Sequence, residues 1–455
     1  MLTIEEKRNA WLKTFEDNKD IMDGRVKSDI EKHRKGWCKV RLTDENGNPL
    51  KNTKVKVNQK THDFKFGAHI FMLDEFETEE KNQKYREIFK DYFNLATVPI
   101  YWDGLEPEKD KPRFDKNSPK VYRRPAPELC LEYCEENGID AKMHCLVYDK
   151  FIPDWLPKND MKKMEELYEE RIRQIAERYA GRLYEIEAIN ETFCTHAWST
   201  QSVISEKRDI VEWAFKLCRK YFLYDTLLIN EGNPIPKLHQ NDYRSPYFIQ
   251  IEKALLEGAK IDKIGLQNHI FTGCTAKTPE EYEQAVRAGA DDLINPKKVL
   301  KALDIIAELG LPLEFTEVTF STFGDTAEDE DIQAEILKNV YSVWFSHPAV
   351  ESIVYWNTVE GYCYIEDGAD PATARWNENR CKGGLFRHDL TPKKSALMLK
   401  KLMNEIWHTD EEIVTDQNGY VEFRGFYGEY EATVGEKTAE FGIHKYEDNC
   451  YNLEF

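Results

Sequence analysis

The chain has 455 residues, 63 of them basic and 83 acidic, for a formal net charge of −20. So acidic a balance argues against nucleic acid or an anionic membrane surface as the main partner and favours a neutral substrate. No apolar run of about 18 residues exists to span a bilayer, and the charged stretch Met1 to Arg8 has no apolar segment after it, so a cytoplasmic location is expected.

In chain order, Thr3 to Met22 has a helical pattern, with Thr3 and Glu6 spaced as a capping box. Trp37 to Asn58 reads as two short alternating strands around the turn Asp44-Glu45-Asn46-Gly47-Asn48-Pro49. Eight strand-like apolar runs follow: Phe64 to Phe71, Phe93 to Trp102, Ile139 to Tyr148, Leu183 to Glu191, Thr226 to Glu231, Lys263 to Ile270, Leu311 to Val318 and Ser352 to Val359. Amphipathic stretches lie between them, such as Met161 to Tyr179, where Met164, Leu167, Ile172, Ile175 and Ala176 share one helical face, and Pro296 to Leu309. Strand and helix in alternation imply a parallel sheet, and eight repeats imply a closed (β/α)8 TIM barrel. An open doubly wound sheet would favour a Gly-rich phosphate turn after its first strand, and Gly67-Ala68-His69 is no such turn. Beyond the barrel, Tyr420 to Val434 alternates again past Asn418-Gly419. Neither end piece is large enough to bury a core alone. They are expected to pair into one small accessory β-sandwich, with residues 1–62 giving a helix and strands, 63–405 the barrel and 406–455 the remaining strands.

The ten cysteines are irregularly spaced and mostly inside elements, as at Cys194, Cys218 and Cys363, which suggests reduced buried thiols and not a disulfide framework. Cys130 and Cys134 would share a helix face, but no His or Cys near them completes a metal site.

Chemistry gathers at the ends of the runs. Glu191 ends the fourth run and Glu317 the seventh, so both lie at the face where a parallel β/α barrel keeps its reactive groups. Two carboxylates flanking one bond are the machinery of glycoside hydrolysis. Glu317 follows Leu311, Leu313 and Phe315, where a lone carboxylate is costly without a purpose. A strand-end Glu taken singly is more often a solvated or salt-bridged charge, so the weight rests on convergence. Other runs end in His144 and Tyr148, Asn230 and Glu231, Gln267 and His269, and Trp356 and Asn357. Each histidine alone reads as a structural group and Trp356 as a core aromatic; at one barrel mouth they become a binding surface, with Trp356 a flat face for a sugar ring.

From Phe64 to Met403 the chain resembles glycoside hydrolase family 10, the retaining endo-β-1,4-xylanases, through blocks that occur in the family's order. These are Trp102-Asp103-Gly104-Leu105-Glu106-Pro107, His144-Cys145-Leu146-Val147-Tyr148, Asn190-Glu191, Gly265-Leu266-Gln267-Asn268-His269, Thr316-Glu317, Trp356, and Gly384-Leu385-Phe386 with Pro392-Lys393. The resemblance implies that Glu317 is the nucleophile and Glu191 the acid/base. It also implies that Asn190 bonds the sugar 2-hydroxyl, that His269 orients the nucleophile, and that His144 and Trp356 hold the same sugar. Gln267, Tyr148, Tyr101 and Tyr364 complete the implied substrate site, with no metal or organic cofactor. The implied partner is a β-linked oligo- or polysaccharide, xylan by default, for a monomer or homodimer.

The family carries a Glu-Asn pair and a Lys before the tryptophan, gripping the glycone side of xylan, where this chain has Thr97, Val98 and Tyr101. The third-strand tryptophan is Tyr148, followed by Asp149; the second aromatic of the eighth-strand block is Tyr364; the Asp two residues past the nucleophile is Thr319. A site built for particular hydroxyls rejects analogues that leave its polar groups unpaired, so these changes should move specificity more than chemistry. A different or decorated β-glycan fits as well as xylan, an acidic one included, since Arg123, Arg124 and Arg387 would make the mouth locally basic. A transglycosylase and a non-catalytic carbohydrate-binding barrel also stay open, although intact Glu191 and Glu317 speak against the second.

Overall fold

The computed structural model describes residues 2–193, 201–366 and 369–455. Its first helix, Ile4–Trp11, is closed by the expected capping box of Thr3 and Glu6. Helical turns then continue through Lys13–Asp17, Lys19–Ile21, Met22–Val26 and Lys27–Arg34, so the helix expected to end at Met22 runs on, in broken pieces, to Arg34. The cause is tertiary. Val26 and Ile30, one turn apart, are buried where this segment packs on the helix Ala327–Ser346.

Two strands, β1 (Lys35–Thr43) and β2 (Lys54–Gln59), precede the barrel. The barrel strands are β3 (Lys65–His69), β4 (Leu95–Pro99), β5 (Asp140–His144), β6 (Glu185–Asn190), β7 (Leu227–Asn230), β8 (Lys263–Ile270), β9 (Leu313–Phe320) and β10 (Val350–Tyr355). They close in the order β10-β3-β4-β5-β6-β7-β8-β9, all parallel, one strand from each of the eight expected runs. The helices Met161–Tyr179 and Pro296–Ala307 lie where the amphipathic patterns put them and bury the expected faces, including Met164, Ile172 and Ile175, and Val299, Leu303 and Ile306.

After the barrel come β11 (Asp410–Val414), β12 (Tyr420–Phe426), β13 (Gly428–Val434), β14 (Lys437–Ile443) and β15 (Cys450–Glu454). They join β1 and β2 in two sheets, β12-β1-β15 and β11-β2-β13-β14, so the accessory sandwich is built from both ends of the chain. The hairpin expected of β1 and β2 does not form, because the two lie in opposite sheets. The stretch Tyr420 to Val434 also divides between the sheets, at Tyr427. Alternation explains the error. Val40, Leu42, Val55 and Val57 all face one core with Phe423, Tyr430 and Phe441, and that core is satisfied as well by facing sheets as by neighbouring strands.

Eight of the nine described cysteines are buried and all nine are free; Cys194 lies outside the described residues. Among the described residues no helix is long and apolar enough to cross a membrane.

The barrel interior carries charge where side chains of period two face inward. Lys142 on β5 is fully buried, with Nζ 2.7 Å from Glu187 Oε1 on β6 and 2.5 Å from Glu314 Oε1 on β9. Lys263 Nζ lies 2.7 Å from Glu185 Oε2, and Ser352 Oγ donates to Glu314 Oε2 at 2.7 Å. Burial opposes the charge on Glu314, but Lys142 and its neighbours hold that carboxyl down to about 2, while burial and the Glu314 charge push Glu185 up to about 8. Removing one partner from such a network strands the others in a low dielectric. Lys142→Met should therefore destabilise the fold by about 3–5 kcal/mol in urea melts, measured beside the conservative Lys142→Arg; a loss under about 1 kcal/mol would show that the network does not bear on stability.

Candidate functional site

Glu191 follows β6 with its backbone in the left-handed region, φ 52°, which non-glycine residues rarely adopt and which clusters at functional sites. Its N–H donates to the Asn230 carbonyl at 3.0 Å, fixing the residue against the end of β7. Glu317 lies within β9, beside Gln267 of β8 in the strand register. Gln267 Nε2 lies 3.0 Å from Glu191 Oε1 and 3.0 Å from Glu317 Oε1. The two oxygens therefore cannot be further apart than the sum of those distances. Two N–H bonds splayed by about 120° place them about 5 Å apart, which is the spacing of a retaining pair and short of the roughly 6.5–9.5 Å of an inverting one.

The two carboxylates have unequal surroundings. Glu317 also accepts from Asn230 Nδ2 at 3.0 Å and faces His269 Nε2 at 3.1 Å, whereas Glu191 accepts from the Tyr148 hydroxyl at 2.5 Å. Burial pulls the His269 imidazole down to about 4, so the ring is neutral and donates from Nε2 while Nδ1 accepts from the Thr319 hydroxyl at 3.1 Å. His144 Nδ1 lies 2.6 Å from Glu187 Oε2 and 4.0 Å from Glu317 Oε1. Burial would lower this histidine, but the charge and hydrogen bond of Glu187 outweigh it and hold the ring above its ordinary value. Burial, aided by the charges of Glu187 and Glu191, pushes Glu317 up to about 8 against the pull of His144. Burial and the neighbouring negative charges thus make a second full charge beside Glu191 costly for Glu317.

Asn190 is buried, and its Oδ1 accepts from Asn230 Nδ2 at 2.9 Å and, more weakly, from Gln267 Nε2 at 3.4 Å. Two members of this shell were not singled out as site residues in the sequence. Asn230 bonds Glu187, Asn190 and Glu317 together and accepts from Thr316 Oγ1 at 2.5 Å. Glu187 links Lys142 to His144. The available signal was charge inside strand-like runs, namely Lys142, Glu185, Glu187 and Glu314, at positions that pattern alone assigns to core. His144, Glu187 and Glu317 bring one donor atom each within 4.8 Å of one another, a spacing a metal ion could use. Lys142 already bonds the second Glu187 oxygen, so the group is satisfied as an ion-pair chain.

Above this shell Phe71, Tyr101, Cys145, Tyr148, Phe151 and Trp356 form a separate apolar cluster, with Tyr364 packed against it. Trp356 is 6% exposed and meets the rings of His69, Phe71 and His144 at steep angles. Tyr364 touches Phe151, at 5.8 Å between centroids. Thr97 and Val98 are fully buried in β4, so of the three substitutions for the glycone grips Tyr101 alone belongs to the mouth cluster. The Arg124 guanidinium lies 4.0 Å above the Tyr101 ring. Arg387 pairs with Glu330 and bonds the Pro392 carbonyl, while Arg123 bonds the neutral Tyr362 carbonyl and keeps its charge, so of the three arginines expected to make the mouth basic Arg123 and Arg124 are without an ion pair among the described residues. Asp149 is taken up by Ser202.

The model of the family described as Glycosyl hydrolase family 10 matches residues 57–393. Endo-1,4-beta-xylanase B of Thermotoga neapolitana is 24% identical over 337 residues, covering 71% of this chain and 84% of its own. Anti-sigma-I factor RsgI6 of Acetivibrio thermocellus is 24% identical over 409 residues, covering 89% of this chain but 45% of its own, so the chain spans less than half of that relative. Among solved structures, native xylanase 10B from Thermotoga maritima is similar with a TM-score of 0.57 at 20% identity, over 75% of this chain and 94% of that one, a likeness of fold.

Carboxyl titration followed by ¹³C NMR tests the electrostatics directly. Glu317 should lose its proton near pH 8, and in Glu191→Gln, where one neighbouring negative charge is gone, its transition should move to lower pH. An unmoved or upward transition would mean that the two carboxyls do not interact.

Proposed function

Because the chain belongs to glycosyl hydrolase family 10, whose members are retaining β-glycoside hydrolases, we propose that it cleaves a β-linked oligo- or polysaccharide by double displacement at Glu317 and Glu191. The observation that carries this reading is the single amide nitrogen of Gln267 shared by both carboxylates, which keeps them at the retaining spacing. Glu317 would attack the anomeric carbon while Glu191 gives its proton to the departing oxygen. Three donors converge on Glu317, from Asn230, Gln267 and His269; they work against the upward push of burial, and the reactive form is the one in which Glu317 is ionised and Glu191 carries the proton. Forming the ester removes that charge, and Glu191 then takes a proton from the water that attacks the same carbon and releases Glu317. Asn190 has its oxygen engaged within the shell, and its Nδ2 donates to no protein atom among the described residues, which leaves it for the 2-hydroxyl of the bound sugar. Xylan or a xylo-oligosaccharide is the first substrate to test, by kinship with the Thermotoga neapolitana xylanase.

A second reading of specificity rests on Arg124, which stands over Tyr101 without an ion-pair partner among the described residues. A neutral chain offers such a cation hydroxyl acceptors but no counter-charge, whereas a glycan with an acidic substituent on its glycone side offers both.

Reduced-end analysis on xylo-, gluco-, manno- and uronate-decorated oligosaccharides should give products of retained configuration from one series. Glu191→Gln should lower kcat/KM on natural linkages by about 10²–10⁴ while sparing cleavage of an aryl glycoside with a good leaving group; Glu317→Gln should abolish both. Arg124→Met should cost about tenfold on an acidic substrate and little on a neutral one, about 1.4 kcal/mol of binding in the transition state. Inverted products, or turnover that survives Glu317→Gln, would sink the mechanism.

A further inference from the structure

A cavity of about 220 Å³ opens at the other end of the barrel, where Tyr184, Phe64 and Glu351 of the barrel base face Phe426, Tyr427 and Lys445 of the sandwich. The end of the helix Lys27–Arg34 forms a third wall. Arg34 is 8% exposed and has no carboxylate within salt-bridge distance among the described residues. Its Nε donates to the Phe345 carbonyl at 2.5 Å, and its Nη2 to those of His347 and Val350 at 2.6 and 2.7 Å, while its guanidinium lies 4.8 and 5.0 Å from the centroids of the Phe64 and Phe345 rings, which pack on each other. Capping the carbonyls at the end of the helix Ala327–Ser346 is a structural role, and it accounts for those two nitrogens. It leaves Nη1, which donates to no protein atom among the described residues.

A buried cation without a counter-ion is costly, and here burial pulls the guanidinium down to about 9. Of the acids on the cavity wall Glu351 acts on Arg34 only through its charge, without a salt bridge, and both acids have other partners. Asp63 is held by His444 at 3.0 Å and Glu351 pairs with Lys263 at 3.5 Å. Lys445 adds a second cation with no ion pair among the described residues, resting on the Tyr446 ring. The cavity is smaller than the roughly 300–1,000 Å³ of drug-sized sites, and its walls include Tyr184 and Tyr427.

We propose that this cavity binds a small organic carboxylate of about one ring, its carboxylate between Arg34 Nη1 and Lys445 and its ring against the tyrosines. Such a ligand bridges barrel and sandwich from the face opposite the carboxylate pair. Calorimetric titration of the full chain, at constant ionic strength, with D-glucuronate, benzoate, inorganic phosphate and D-glucose tests it. Saturable one-to-one binding of glucuronate or benzoate is expected, with none for glucose and at least tenfold weaker binding for phosphate. The preferred carboxylate tells a sugar acid from an aromatic acid. Lys445→Met should weaken binding at least tenfold, and Arg34→Lys, which keeps the charge but not the fork, should do the same if it folds. Glu317→Gln should leave the affinity unchanged. No saturable binding by either carboxylate, equal affinity for phosphate, indifference to Lys445→Met, or loss in Glu317→Gln would each overturn the proposal.

Discussion

Charge buried inside a barrel must be neutralised by charge on the neighbouring strands, and the candidate site depends on how this chain meets that demand. Lys142 joins Glu314 to Glu187, Glu187 holds His144, and His144 reaches to within 4.0 Å of Glu317. Each link crosses from one strand to another, so the series exists only in the register the closed barrel imposes. A low dielectric strengthens every member and makes an unmatched member expensive, which is why such a series is either complete or absent. The result is a shell held by packed strands and not by loops, with little freedom to relax around a substrate.

That rigidity lets two chemically identical side chains take different parts. Glu317 sits in a strand among three donors and next to a histidine whose basicity Glu187 raises, while Glu191 stands just past its strand, in a strained backbone conformation, with a tyrosine hydroxyl on one oxygen. Environment alone separates an acid from a nucleophile in such pairs. Gln267 is the common member: beside the sugar contact expected of it, its amide nitrogen bonds both carboxylates.

The barrel was legible because each strand is a short apolar run and each helix has its own period, and eight repetitions leave one closed solution. The strand-end carboxylates were legible because position along a run survives small errors in its boundaries. The sandwich was legible in composition but not in pairing. Alternation in Trp37 to Asn58 says which face is buried and is silent on which strand lies alongside, so β1 and β2 were taken as neighbours when they face each other across a core. Lys142 and Glu187 are not legible, and Asn230 is legible only as the polar end of a run, for a related reason. A polar residue inside an apolar run means nothing until its partners on other strands are known, and those partners are 172, 43 and 87 residues away for the Lys142–Glu314, His144–Glu187 and Asn230–Glu317 bonds.

The interior series and the aromatic mouth are built from different residues, and they meet at few points. Thr97 and Val98, two of the three departures from the family's glycone grips, are buried in β4 and touch neither carboxylate through any hydrogen bond of the described residues. Tyr101 packs on His144 by ring contact, and Tyr148 alone belongs to both, its ring in the mouth cluster and its hydroxyl on Glu191. Among the described residues, a change at Tyr101 or Phe151 reaches the carboxylate pair through Tyr148 or His144, and one at Phe71 also through Trp356 and His269. An arrangement of this kind lets the mouth be remade for a different sugar while the pair, its shared amide and the buried charges beneath it stay as they are.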